Sequence, residues 1–111
     1  MPYIISQNPS TGAEIWSVEI TPKEQLSEIV KISREAQKAW EKLSISERKN
    51  ILQEVFELFL TKKEVLAQSI SAEMGMPIVQ AREEIEYGYM YFKGYLEMCE
   101  TALKPHITKE T

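Results

Sequence analysis

Reactive side chains are scarce in this sequence. Among 111 residues there is one cysteine, Cys99, and one histidine, His106. A single cysteine excludes an internal disulfide framework. A nucleophilic thiol would need an activating neighbour, and only His106 could serve by type. It follows Pro105 in a polar tail, so Cys99 reads as a small core hydrophobe on a helix. The four glycines stand at 12, 75, 88 and 94, which permits neither a Gly-x-Gly-x-x-Gly nor a Gly-x-x-x-x-Gly-Lys loop. No phosphate cradle can be written, so no cofactor-binding residue is assigned. Basic residues are outnumbered and the net charge is −4, which argues against nucleic acid or an anionic membrane as partner. No apolar run approaches the roughly 20 residues of a membrane span. The start, Met1-Pro2-Tyr3-Ile4-Ile5, lacks the basic region of a signal peptide, and the expected location is cytoplasmic.

What is present is a legible order of elements. Tyr3, Ile4 and Ile5 form a β-type run, and Ile15, Trp16, Val18 and Ile20 sit in a second. Between them Asn8-Pro9-Ser10-Thr11-Gly12 supplies turn chemistry, so residues 1–20 read as a β-hairpin with a five-residue loop. Thr21-x-x-Glu24, Ser44-x-x-Glu47 and Thr61-x-x-Glu64 have the pattern of capping boxes. They predict helices over 22–43, 45–60 and 62–74. Gly75 supplies a left-handed stop, and Pro77 opens a fourth helix reaching about Leu103. The predicted fold is mainly α: a hairpin, a helical region over 21–104 and a polar tail over 105–111, together one partial domain.

The apolar faces suggest how these helices pack. Leu26, Ile29, Val30, Ser33, Ala36, Trp40 and Leu43 make one stripe, so the first helix should cover a core. Ile51, Leu52, Val55, Phe56, Leu58, Phe59 and Leu60 occupy more of the second, which should be central. The fourth is apolar on two faces. Ile78, Ala81, Ile85, Phe92, Leu96, Cys99 and Leu103, with Gly88 or Tyr89, form one face, and Tyr87, Met90, Tyr91, Tyr95 and Met98 the other. Three short helices and a hairpin cannot cover both, so the second face calls for the remainder of a larger protein or for another copy of this chain.

Glu83, Glu84 and Glu86 cluster early in the fourth helix, where negative charge meets the positive end of the helix dipole. A metal site in a bundle wants Glu-x-x-His partners on facing helices, and the one histidine lies in the tail, so no metal ligands are assigned. Arg82 has the spacing to pair with Glu86.

Five segments occur in an order that carries more than any one of them. They are Asn8-Pro9-Ser10-Thr11-Gly12, Ala39-Trp40, Ser46-Glu47-Arg48, Glu73-Met74-Gly75-Met76-Pro77 and Ala81-Arg82-Glu83-Glu84-Ile85. Together they resemble the amino-terminal segment of an NAD(P)-dependent aldehyde dehydrogenase, and the last, followed by an aromatic-rich helix, resembles the succinate-semialdehyde dehydrogenase type. The resemblance implies the helical flank of the cofactor-binding domain. In that family the cofactor loops, the catalytic cysteine and the general-base glutamate come later in the sequence. It therefore implies no catalytic residue here and no cofactor in this chain, with NAD or NADP in the complete enzyme. It also implies that the fourth helix passes the mouth of the substrate tunnel, making Tyr87 and Tyr91 candidates to line an aldehyde entrance. Met76 departs from the lysine common between the glycine and the proline, so that lysine's ion pair is lost. Two functions follow as expectations: a piece of an aldehyde-oxidising enzyme, or a non-catalytic helical interaction or oligomerisation module.

Overall fold

A computed structural model describes residues 2–109. The elements are β1 (Tyr3–Gln7), β2 (Glu14–Glu19), α1 (Lys23–Trp40), α2 (Ile45–Thr61), α3 (Lys63–Met74) and α4 (Ile78–Ala102). The predicted hairpin and four helices are all present. β1 and β2 pair antiparallel, with Tyr3 opposite Glu19, Ser6 opposite Trp16 and an irregularity between Ser6 and Gln7. The loop is one residue longer than expected, because Ala13 lies outside the ladder and accepts from Asn8 N–H at 2.9 Å. Asn8 Oδ1 accepts from Ser10 and Thr11 backbone N–H at 2.9 and 3.3 Å, an Asx turn that Gly12 completes at φ +72°.

Only one of the three capping boxes forms. Ser44 Oγ accepts from Glu47 N–H at 3.2 Å and Glu47 Oε2 accepts from Ser44 N–H at 2.7 Å. Ser44 must be extended to do this (φ −61°, ψ 161°), which ends α1 at Trp40 and leaves Leu43 outside the helix. Thr21 makes no cap because Pro22 takes the N-cap position of α1. Thr61 belongs to the last turn of α2, where its hydroxyl donates to Leu58 O at 2.6 Å, so it cannot serve α3.

The core sits between α3 and α4, not around α2. Ala67, Ala81, Ile85 and Leu96 are the buried apolar residues, and three of the four belong to α4. Ala67 on α3 and Ala81 on α4 have no exposed surface at all. α2 packs on α4, with Phe56 stacked on Phe92 at an interplanar angle of 6°, yet no α2 residue is buried and Val55 and Leu58 face outward. The expectation that α2 is central therefore fails: it packs mainly on α4, and much of its wide apolar surface stays open. α1 departs further from expectation. Leu26, Ile29 and Val30 are exposed, and α1 shares no extensive contact with α2, α3 or α4.

The hairpin is tied to the turn between α3 and α4. Gly75 ends α3 in the left-handed region (φ +69°), donating to Ser71 O at 3.0 Å, while Ser71 Oγ donates to Met76 O at 2.7 Å. Pro9 seats against this turn, its Cγ 3.0 Å from where a Cβ on Gly75 would stand. Beside it Ser6 Oγ donates to Glu73 Oε2 at 3.0 Å. The radius of gyration is 19.6 Å. A compact domain of this length has about 13 Å, so the elements are spread rather than gathered around one centre. Among the described residues no helix is long and apolar enough to cross a membrane.

Gly75→Ala combines a left-handed backbone, which costs a residue with a Cβ about 1–2 kcal/mol, with a contact against Pro9. Gly12→Ala carries the backbone cost alone, since nothing lies within 4 Å of its Cβ position. In denaturant unfolding Gly75→Ala should lose more stability than Gly12→Ala, and Pro9→Ala in the Gly75→Ala background should recover the difference.

Candidate functional site

α4 carries the residues to which sequence reasoning attached function, and its two faces are differently occupied. Ala81, Ile85 and Leu96 are buried on the inward face, with Tyr89, Phe92 and Cys99 half-buried among α2 and α3 contacts. Tyr87, Met90, Tyr91, Tyr95 and Met98 lie on the opposite side, each between 54% and 68% exposed. The two-faced pattern is thus present, and no other element of the chain covers the second face. Tyr87 and Tyr91, one helical turn apart, border a shallow open hollow of about 340 Å³ with Glu84 and Gly88. Among the described residues their hydroxyls have no side-chain hydrogen-bond partner, and the border presents aromatic surface.

The acidic cluster at the start of α4 is divided by its partners. Arg82 donates from Nε and Nη2 to the two Glu64 carboxylate oxygens at 2.9 and 2.8 Å, and Lys63 pairs with Glu86. The i, i+4 pair of Arg82 with Glu86 does not form, because a carboxylate on α3 offers the guanidinium two parallel bonds where Glu86 offers a flexible one. Glu83 and Glu84 stay exposed. Among the described residues no three His, Cys, Asp or Glu side chains converge as metal ligands would. The hydrogen bond from Arg82 holds the Glu64 carboxyl below the ordinary carboxylate range and raises the guanidinium in turn. Glu47 is likewise held low, first by the Ser44 backbone N–H.

Cys99 is half-buried and its Sγ–H donates to Leu96 O at 3.2 Å. Trp40, Leu52 and Leu103 stand around it, while His106 is exposed in the tail. The thiol occupies an apolar notch between α2 and α4, as a small packing residue does. Arg48 lines the same notch, and its Nε is buried with no hydrogen-bond partner among the described residues. Nothing in the residue spacing marks this donor, since an arginine in a helical charge pattern reads as solvated.

The five segments noted in the sequence converge in part. The Asn-Pro-Ser-Thr-Gly loop and the Gly-Met-Pro turn meet across a cleft lined by Asn8, Ser10, Gln68, Ser71, Met76 and Ile78, while Ala81-Arg82 follows directly on α4. The model of the aldehyde dehydrogenase family matches residues 2–111. The chain belongs to the aldehyde dehydrogenase family. It is 32% identical over 90 residues to the mitochondrial succinate-semialdehyde dehydrogenase of Arabidopsis thaliana, covering 81% of this chain and 17% of that protein. It is 34% identical over 83 residues to the N-succinylglutamate 5-semialdehyde dehydrogenase of Paraburkholderia xenovorans, covering 75% and 17%. Identity to the malonate-semialdehyde dehydrogenase of Bacillus cereus is 32% over 81 residues, covering 73% and 17%. The chain thus spans about one sixth of the length of these relatives.

The dinucleotide of aldehyde dehydrogenases finds no cradle among the described residues. Pyrophosphate binding needs a glycine turn whose backbone N–H groups stand free at a helix start. Here Gly12 closes the Asx loop, the Gly75 N–H is bonded to Ser71 O with Pro9 filling the space beside it, and Gly88 and Gly94 lie inside α4. These residues do not fit the cofactor.

Glu64 gives the pH dependence of the α3–α4 contact. A carboxyl whose folded pKa is lowered contributes stability that is fully present above its unfolded value, about 4.3, and is lost as pH falls through the folded value. Both partners are about half exposed, so the contribution is the small one of a solvent-screened surface pair. Carbon-detected NMR titration should place the Glu64 midpoint below that of the free side chain, and Arg82→Gln should return it to the ordinary range.

Proposed function

We propose that this chain is part of an aldehyde dehydrogenase that oxidises a semialdehyde to the acid with NAD or NADP in the cytoplasm. Its residues furnish the helical flank of the cofactor-binding domain and none of the reacting groups. The observation that carries this reading is the identity of 32 to 34% to enzymes named for succinate, N-succinylglutamate and malonate semialdehydes. Three features of the chain support the division of labour. The lone thiol is engaged with a helix carbonyl, the lone histidine is exposed in the tail, and the glycines lie in the Asx loop, at the end of α3 and inside α4 rather than in a phosphate-binding turn. The spread arrangement, with α1 and one face of α4 uncovered, supports a partial domain that packs on further protein.

Tyr87 and Tyr91 are our candidates for an aldehyde entrance in the complete enzyme. Their support is the shared hollow on the outward face of α4. An entrance role concerns access rather than reaction. In a longer protein containing this segment, Tyr91→Ala should alter KM for aldehydes severalfold while leaving NAD(P) affinity unchanged.

A second reading is favoured by the same uncovered face: a non-catalytic helical module that associates with other proteins. The coding sequence immediately downstream separates the two. Continuation into cofactor loops and a catalytic cysteine, in frame or after one frameshift, supports the enzyme, and an unrelated continuation supports the module. We expect the 111-residue chain to reduce neither NAD nor NADP in the presence of succinate semialdehyde, measured by absorbance at the nicotinamide band. Turnover that vanishes in Cys99→Ala would make the thiol a nucleophile and overturn this assignment.

A further inference from the structure

Among the described residues one buried side-chain donor is left without an acceptor, the Nε–H of Arg48. It belongs to the notch of about 180 Å³ walled by Trp40 of α1, Ile45 and Leu52 of α2, and Leu96 and Cys99 of α4. A donor taken out of water with no acceptor loses its hydration and recovers nothing, and the loss is larger when the group is a cation. Methionine or leucine would line the same notch without that loss, so packing alone does not account for an arginine there. Four carboxylates adjoin notch residues in sequence, and none serves Arg48. Glu47 caps α2 through Ser44, Glu100 pairs with Lys49 at 3.6 Å, Glu97 lines the neighbouring groove with Gln53 and Lys93, and Glu41 is exposed at the end of α1.

We propose that Arg48 receives a carboxylate side chain from protein beyond these 111 residues, and that the notch is its seat. The inference rests on the reading above, that this chain is part of an aldehyde dehydrogenase, and on the chain spanning about one sixth of its relatives' length. Two properties of the site select a carboxylate over a neutral acceptor. Arginine is a permanent cation, and in an apolar surround an opposite charge is worth more than it is in water. The Nε and Nη2 edge of a guanidinium also matches two carboxylate oxygens with parallel bonds. Arg82 makes that fork with Glu64 elsewhere in the chain, at 2.9 and 2.8 Å. Arg48 as a residue is only half-buried, so its guanidinium can turn the Nε edge to the mouth of the notch as the acid arrives. The pair then sits among apolar walls, where breaking it costs far more than breaking a surface pair. Arg48 becomes a fixed point for the incoming segment.

Urea unfolding at two chain lengths tests the pairing. In the 111-residue chain Arg48→Met should raise the midpoint by about 0.5 M, since a thioether fills the notch and removes the unmet donor. In a longer protein containing this segment the same substitution should lower the midpoint by at least as much, because it leaves the incoming carboxylate buried and unpaired. Arg48→Lys keeps the charge without the fork, and there it should recover only part of the loss. Replacing each added aspartate by asparagine and each added glutamate by glutamine should find one acid that lowers the midpoint when Arg48 is present and leaves it unchanged in the Arg48→Met background. A midpoint that does not rise in the 111-residue chain would mean that Arg48 is already satisfied there, and would overturn the proposal. So would a rise in the longer protein, or a scan in which no acid couples to Arg48, which would give its partner as a main-chain carbonyl or water. Semialdehyde oxidation by the same longer protein separates this inference from the reading it rests on. An active enzyme stabilised by Arg48→Met sinks the pairing alone, and an inactive protein in which an acid couples to Arg48 sinks the activity alone.

Discussion

A single left-handed residue at the end of α3 decides where the rest of the chain goes. Gly75 reverses the direction, Pro77 starts α4 at once, and the side-chain pairs Glu64–Arg82 and Lys63–Glu86 record the result: α4 runs back alongside α3. Small residues accompany the geometry. Ala67 on α3 and Ala81 on α4 are both fully buried, with Ile85 close behind. The hairpin depends on the same turn. Pro9 occupies the space that a Cβ at position 75 would fill, so the glycine is required twice, for its φ and for its missing side chain.

That arrangement makes α4 the shared wall of everything else. Its inward face takes α3 at one end and α2, through Phe56 and Phe92, further along. Its outward face is left bare over three turns. In an aldehyde dehydrogenase segment that spans about one sixth of its relatives' length, Tyr87, Met90, Tyr91, Tyr95 and Met98 all stand on that bare face.

The order of elements was legible because each carries a local marker that tertiary structure had no reason to override. Gly75 and Pro77 delimited the α3–α4 turn, and the two stripes of α4 were visible in spacing alone. The capping boxes at Thr21 and Thr61 misled, since the pattern records only that a hydroxyl and a glutamate are three residues apart. Pro22 and the long reach of α2 claimed those positions. The core was harder to locate. An apolar stripe states what a helix can bury, not what is offered to it, so α1 and α2 looked buried although only α4 has neighbours on enough sides. Contacts between distant segments left no trace in spacing: the seat of Pro9 on Gly75, the choice of Glu64 over Glu86 by Arg82, and the unmet Arg48 Nε all depend on which elements meet.

The bond from Ser6 to Glu73 joins residues 67 apart, whereas the β1–β2 ladder and the α3–α4 contact are each local in sequence. Closing so long a loop orders the intervening chain, and that entropy is recovered only through a few contacts at the turn. Two local units therefore form without each other, and the hairpin docks onto a turn that is already made. Kinetically the seat on Gly75 is a latch, the last contact to close and the first to open. Hydrogen exchange reads this directly, as earlier opening around Ser6 and Gln7 than around Ala81 and Ile85.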